Sequence, residues 1–328
     1  MRKKGLVERI LMSEPAEHDF STDKLPSSRA KLFLYMLKNK FPKIYKNHLC
    51  IALFFLPLVA WGILTMPYTD WFFSLDAKEG ITHLFEYWFT VYVTAIPLWT
   101  LAFVGLAGGL NLLRKLAWSD PVVFKSDFLK GVKDSGRQMA LIGLVWGIAF
   151  AIMRYTIDWL GFYYRVFDNS LAVMFGMFLC YFVLLAVIGY TVYLCCTASL
   201  YNVNLTQLLI GAFKLYFTDL PLATGVIVLS LSPILILLLL GYAITSLIAY
   251  ILTLCLYLGI MIIPMMLVCH HTFDRVINKK DYPDYYGRGL SYGVYAEEIA
   301  ANEPTDEYEV ESVLEIENDF ERVTDDKN

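Results

Sequence analysis

Residues 220–273 read LPLATGVIVLSLSPILILLLLGYAITSLIAYILTLCLYLGIMIIPMMLVCHHTF, and no Asp, Glu, Lys or Arg occurs between Asp219 and Asp274. At ~1.5 Å per helical residue this run is roughly twice the ~30 Å hydrocarbon thickness of a bilayer. It therefore has to fold back on itself. The bend is expected at Leu240-Gly241-Tyr242-Ala243, because Gly241 relaxes the backbone and an αα-turn needs only a few residues. The run predicts two membrane spans, and with them an integral membrane protein.

Four further charge-poor apolar stretches precede it. The expected spans are Leu49–Met66, Tyr87–Leu110, Gln138–Leu160, Leu171–Thr197, Pro221–Leu240 and Ile244–Cys269. Apolar residues make up 57% of the chain and charged residues 18%, which excludes both a disordered chain and an ordinary cytosolic enzyme. The fold class predicted is all-α, a polytopic bundle of six transmembrane helices.

Orientation follows from the short loops. Arg29, Lys31, Lys38, Lys40, Lys43 and Lys46 precede the first span, and Arg114, Lys115, Lys125, Lys130, Lys133 and Arg137 lie between the second and third. The loop from Pro67 to Glu86 carries only Lys78. The positive-inside rule then places both termini in the cytoplasm. Tyr68, Trp71, Phe72, Phe73, Tyr87 and Trp88 mark the opposite interface, as do Trp159, Phe162, Tyr163 and Tyr164. Their rings suit the headgroup layer, which is apolar on one side and wet on the other.

The charge of the chain is divided between its ends. Residues 1–46 form a basic cytoplasmic segment, residues 47–272 the transmembrane domain, and residues 273–328 a cytoplasmic tail in which acids dominate and only Arg322 and Lys327 oppose them beyond Glu303. No signal peptide is expected, because Glu8 and Arg9 break the apolar run after Met1-Arg2-Lys3-Lys4. Phe33, Met36, Leu37 and Phe41 recur at helical spacing, with Ser27 or Ser28 as cap and Pro42 as terminator. That helix either lies against anionic lipid or packs on the ends of the bundle. Val310, Val313, Ile316, Phe320 and Val323 give the tail an acidic amphipathic pattern, which fits docking on the protein's own basic loops, binding to a partner, or plain disorder.

Candidate functional positions are of two kinds. Pro57, Pro97, Pro233 and Pro264 interrupt four spans, each freeing a carbonyl that protein or cavity water must satisfy; the two readings are simple kinks and a midplane binding site. Arg154 and Asp158 are ionisable, four residues apart on one helix face, and read as a local ion pair or a polar gate. Asn111, Arg114 and Lys115 are expected to snorkel to lipid phosphates. Gly105, Gly108 and Gly109 make a small-residue seam for close packing.

Metal, cofactor and catalytic signals are weak. Cys195, Cys196, Cys269, His270 and His271 gather at one membrane depth, but adjacent Cys-Cys and His-His pairs lack ligand spacing. All six cysteines fall in or beside apolar spans and read as free thiols. No Walker-type loop, HExxH, CxxC or nucleophile elbow is present, so no cofactor, nucleic-acid partner or catalytic residue is expected.

Ile96-Pro97-Leu98-Trp99-Thr100-Leu101-Ala102, Leu113-Arg114-Lys115-Leu116 and Asp120-Pro121-Val122-Val123-Phe124-Lys125-Ser126-Asp127-Phe128 resemble the pattern of the bacterial YesL-like family of small multi-span membrane proteins. The resemblance covers about Leu56 to Gly147. It implies a helical domain of the bacterial plasma membrane, of uncharacterised molecular function and often associated with carbohydrate-uptake loci, and brings no catalytic residues with it. Physically, Asp120-Pro121 breaks the chain, and Phe124, Phe128 and Val132 recur every four residues as a cytoplasmic amphipathic helix. Leu208, Leu209, Ala212, Phe213 and Tyr216 repeat the pattern before the fifth span, which hints at internal duplication. The expected function is a non-enzymatic transport component or accessory to carbohydrate uptake; the alternative is a scaffold recruiting cytoplasmic partners through its tail and basic loop.

Overall fold

A computed structural model describes residues 26–65, 77–167, 170–201, 203–239 and 243–291. The described residues are helical throughout apart from short connections. Helix α1 is Arg29–Asn39, α2 Phe41–Thr65, α3 Ala77–Ala117, α4 Phe124–Val166, α5 Leu171–Leu200, α6 Leu205–Thr218 and α7 Leu220–Leu239. The last span begins as α8, Ala243–Leu252, passes through a π-helical turn at Thr253–Tyr257 and continues as α9, Leu258–Phe273. A second π turn, Asp274–Asn278, and the short α10, Lys279–Asp281, extend it further.

Six of these stretches are long and apolar enough to cross a membrane, in the order the hydropathy pattern predicts. The protein is a polytopic helical bundle. Gly241 and the acidic tail lie outside the described residues, as do Tyr68, Trp71, Phe72 and Phe73. Pro26 and Ser291 are joined by a backbone hydrogen bond of 3.0 Å, so the first and last described residues meet at one end of the bundle. This end carries the basic loops.

The main difference from the sequence reading concerns where helices stop. At 41 and 43 residues, α3 and α4 are each roughly 60 Å long, about twice the hydrocarbon thickness. The amphipathic segment expected at Phe124–Val132 is thus the first turns of α4, continuous with the third span. A helix ends where its backbone groups find other partners, and the mutual packing of α3 and α4 carries both helices past the length a bilayer needs. The positions 46/47 and 272/273 likewise fall inside helices α2 and α9, so neither breaks the structure. Pro42 opens α2 in its first turn, where a missing amide costs nothing, and does not terminate α1.

Long antiparallel contact between α3 and α4 forms the backbone of the bundle, with α2 against α3, and α9 among α2, α5 and α7. The glycine seam serves packing. A Cβ on Gly105 would stand 2.4 Å from Phe54, on Gly108 2.8 Å from Phe128, and on Gly109 2.3 Å from Ile51. Helix α1 docks on the bundle through Leu32 and Met36, both fully buried, and is capped by Ser28, which accepts from the Lys31 amide. Of its two expected placements, packing on the helix ends is the one observed. Leu208, Ala212 and Tyr216 tie α6 to the core in the same way, while Leu209 and Phe213 stay exposed.

Buried side chains concentrate at the basic end: Leu112, Leu113, Leu116, Tyr193, Tyr216, Phe273 and their neighbours. Toward the other end α5 turns Phe175, Phe178 and Phe182 outward at more than 60% exposure, a surface that suits lipid.

Candidate functional site

Polar chemistry among the described residues gathers at the basic end, where α1, the tips of α3 and α4, α5 and the last span converge. The link between distant parts of the chain is Arg29, whose guanidinium reaches Asp274 Oδ2 at 2.5 Å and donates to the Arg288 carbonyl at 2.9 Å. Both side chains of the ion pair are about nine-tenths buried. Asp274 Oδ1 accepts from Asn278 Nδ2 at 2.9 Å, and Asn278 Oδ1 accepts from the Tyr201 hydroxyl at 2.5 Å. Burial raises the Tyr201 phenol above its ordinary value, so it remains a donor. This relay joins α1, α5 and the last span.

A second relay holds the α3–α4 connection. Asn111 Nδ2 donates to the Asp127 carbonyl at 2.8 Å, while its Oδ1 accepts from Arg114 at 2.7 Å; Arg114 also donates to the Ser199 carbonyl at 3.1 Å. Lys115 pairs with Asp127 at 2.7 Å, and the other Asp127 oxygen accepts the Val123 amide at the start of α4, where the helix dipole favours an anion. Arg114 and Lys115 therefore turn inward rather than snorkel. A protein carboxylate and fixed carbonyls outcompete mobile lipid phosphates once Phe128 and Gly108 have brought the two helices together.

Helix α3 closes with the paired reverse bonds of a Schellman motif: Asp120 N to Lys115 O at 2.9 Å and Ser119 N to Leu116 O at 3.3 Å, with Ser119 at φ 60°. Lys40 covers this helix end, donating to the Leu116 carbonyl at 2.7 Å and to Ser119 Oγ at 2.9 Å. Burial, helped by Lys43 and opposed by Asp120, lowers its ammonium to about 8. Trp118 beside it lies between two guanidiniums, Arg114 at 5.2 Å and Arg288 at 4.8 Å from the ring centre. Arg288 in turn meets Asp120 at 3.3 Å.

Deeper in the bundle, Asn47 Nδ2 donates to the Gly109 carbonyl at 3.1 Å. His48 Nδ1 accepts from the Gly259 amide at 3.0 Å. That amide follows the π turn at Thr253–Tyr257, where the helix repeat is locally broken. Among the described residues, His48 Nε2 and Asn47 Oδ1 are buried without a hydrogen-bond partner. Tyr193 and Thr272 bond at 2.8 Å.

The four prolines singled out from sequence sit in four different helices. Pro97 and Pro233 face outward, Pro57 and Pro264 are half-buried in separate helices, and all four helices continue through them. Arg154 and Asp158 form the local ion pair, at 2.8 Å, and Tyr92 donates to Asp158 from α3. They lie far from Arg114, near the opposite end of α4. Cys195, Cys196, Cys269 and His270 are buried and His271 is exposed; among the described residues no group of three or more His, Cys, Asp or Glu is placed to hold a metal. A shallow groove of about 410 Å³ between α5 and α6 is lined by Tyr190, Leu209, Ile210, Phe213 and Lys214.

Sequence reasoning missed Arg29, Asn47, His48, Trp118, Asp274 and Arg288. The available signal is Asp274, the charge that closes the uncharged run. A carboxylate immediately after such a span, with an arginine just before the first one, is a candidate pair across the bundle mouth.

The fold and its polar network define a multi-pass α-helical membrane protein. No family model, curated protein or solved structure matches the chain.

Proposed function

We propose that the chain is a non-enzymatic scaffold of the bacterial plasma membrane, presenting its basic end to cytoplasmic proteins as an accessory to a transport system. The observation that carries this reading is the use of polar side chains at the basic end. Arg29, Asn111, Arg114, Asp127, Asp274 and Asn278 are bonded to neighbouring elements, which suits a rigid platform. A carrier has to alternate between two arrangements, and the interrupters that would serve one, Pro57, Pro97, Pro233 and Pro264, sit inside four different helices that continue through them. Resemblance to the YesL-like pattern supplies carbohydrate uptake as the process served.

The competing reading, a small transporter in its own right, has one supporting observation: the His48 Nε2 nitrogen beside the π turn, buried without a hydrogen-bond partner among the described residues. Purified protein in liposomes, together with a deletion strain, separates the two. An accessory gives no flux of any sugar in the panel by itself, yet its loss slows uptake in cells. Flux in liposomes overturns the scaffold reading, and unchanged uptake removes the carbohydrate assignment.

A further inference from the structure

The first turns of α4 expose a cationic stripe. Lys130, Lys133 and Arg137 follow one another at helical spacing with Lys125 beside them, and Leu129 stands among them at 55% exposure. Asp134 is the one acid exposed along this stretch. None of the four cations forms an ion pair or side-chain hydrogen bond among the described residues, whereas Lys115 nearby pairs with Asp127 and Arg114 donates to Ser199 and Asn111.

The chain leaves the described structure close to this stripe. Arg288 meets Asp120, Gly289 lies against the Ala117 carbonyl, and Ser291 is bonded to Pro26. Asp120 is five residues before Lys125 in the connection that leads into α4. Beyond Ser291 follow residues 292–328, with acids throughout Glu303–Asp326 and apolar Val310, Val313, Ile316 and Phe320 interspersed. Twelve extended residues reach up to ~40 Å, enough to carry Glu303 from Ser291 to any point on the stripe.

We infer that the acidic tail of this chain, residues 303–328, docks on the Lys125–Arg137 stripe of its own α4. Charge complementarity and the exit point of the chain carry the assignment, and Leu129 offers an apolar contact for the tail's valines. Anionic lipid competes for the membrane-proximal Lys133 and Arg137, but at ~1.5 Å per residue Lys125 and Lys130 stand roughly 20 and 12 Å before the apolar run begins at Gln138, beyond a Debye length of ~8 Å. The contact goes beyond the scaffold reading and stands whether or not a partner exists. With a partner present, the tail would compete with it for the stripe.

The test uses the full chain in nanodiscs, with the photo-reactive residue benzoylphenylalanine at Leu129 and peptide mapping of its cross-links. Isotopically heavy and light chains are mixed so that contacts within one chain are distinguished from contacts between two. Cross-links from Leu129 to residues 303–328 of the same chain are expected at low salt. Their yield falls about tenfold at 1 M salt, where the Debye length is ~3 Å, and equally in Lys130→Glu/Lys133→Glu/Arg137→Glu. Lys279→Glu/Lys280→Glu, at exposed basic positions elsewhere, leaves it unchanged. Cross-links to lipid, cross-links between heavy and light chains, a yield insensitive to salt, or an equal loss in the Lys279/Lys280 variant would each overturn the proposal. The salt series on the unreversed stripe keeps the test decisive should the triple variant fail to fold.

Discussion

Arg29 and Asp274 are separated by almost the whole described chain, and their side chains are only 8% and 10% exposed. Removing one charge from such a pair strands the other in a low-dielectric site, which typically costs ~3–5 kcal/mol. Asp274→Asn is therefore expected to lower thermal stability in detergent severely. Arg288 meets Asp120 with side chains 39% and 26% exposed, so breaking that pair by Asp120→Asn is expected to cost only ~1 kcal/mol or less. Equal losses in the two variants would show that the Arg29 relay does not hold the basic end together. Lys40 gives a pH signature. Its folded value, about 8, is below the ~10.4 of an unfolded lysine, so the unfolded chain holds the proton more tightly. This site opposes folding in full below pH ~8, and its contribution rises between pH ~8 and ~10.4. Carbon-13 methyl-lysine NMR should find one lysine titrating near 8, absent in Lys40→Arg; a Lys40 midpoint in the ordinary range would refute its burial on the α3 terminus.

At the scale of elements, the segment after α10 is the piece whose position depends most on a single backbone contact. Gly289 has φ 83°, and a Cβ there would stand 2.1 Å from the Ala117 carbonyl oxygen. Backbone cannot yield as a flexible side chain does. Gly289→Ala should lift the segment off α3 and separate Arg288 from Asp120, which limited trypsin digestion at Arg288 would report as faster cleavage. Unchanged cleavage would mean that Leu290, 2% exposed, anchors the segment alone. The helices themselves were readable from hydropathy, and so was the i,i+4 pair of Arg154 and Asp158. Their ends were not. Phe124–Val132 was recognised as amphipathic, but nothing local distinguishes a separate interfacial helix from the opening turns of a span, because both show the same apolar period.

For the molecule as a whole, the shared location of Pro26 and Ser291 fits an even number of crossings, and the positive-inside rule predicts from the basic loops that this end faces the cytoplasm. Membrane-impermeant maleimide should label Val166→Cys in intact cells, and Lys130→Cys only after permeabilisation, above the background of the native cysteines. The reverse pattern would invert the topology. From sequence alone came the class of protein, the six spans and their order, since placing apolar side chains in lipid is a nearly local sum along the chain. The polar site had no such local rule. A charge at the edge of a bilayer has water, lipid phosphate and protein as alternatives of similar free energy, and the choice rests on what the fold brings within 3 Å. Only the tertiary structure turned Arg114 inward to Asn111 and Ser199, joined Arg29 to Asp274, and set His48 against Gly259.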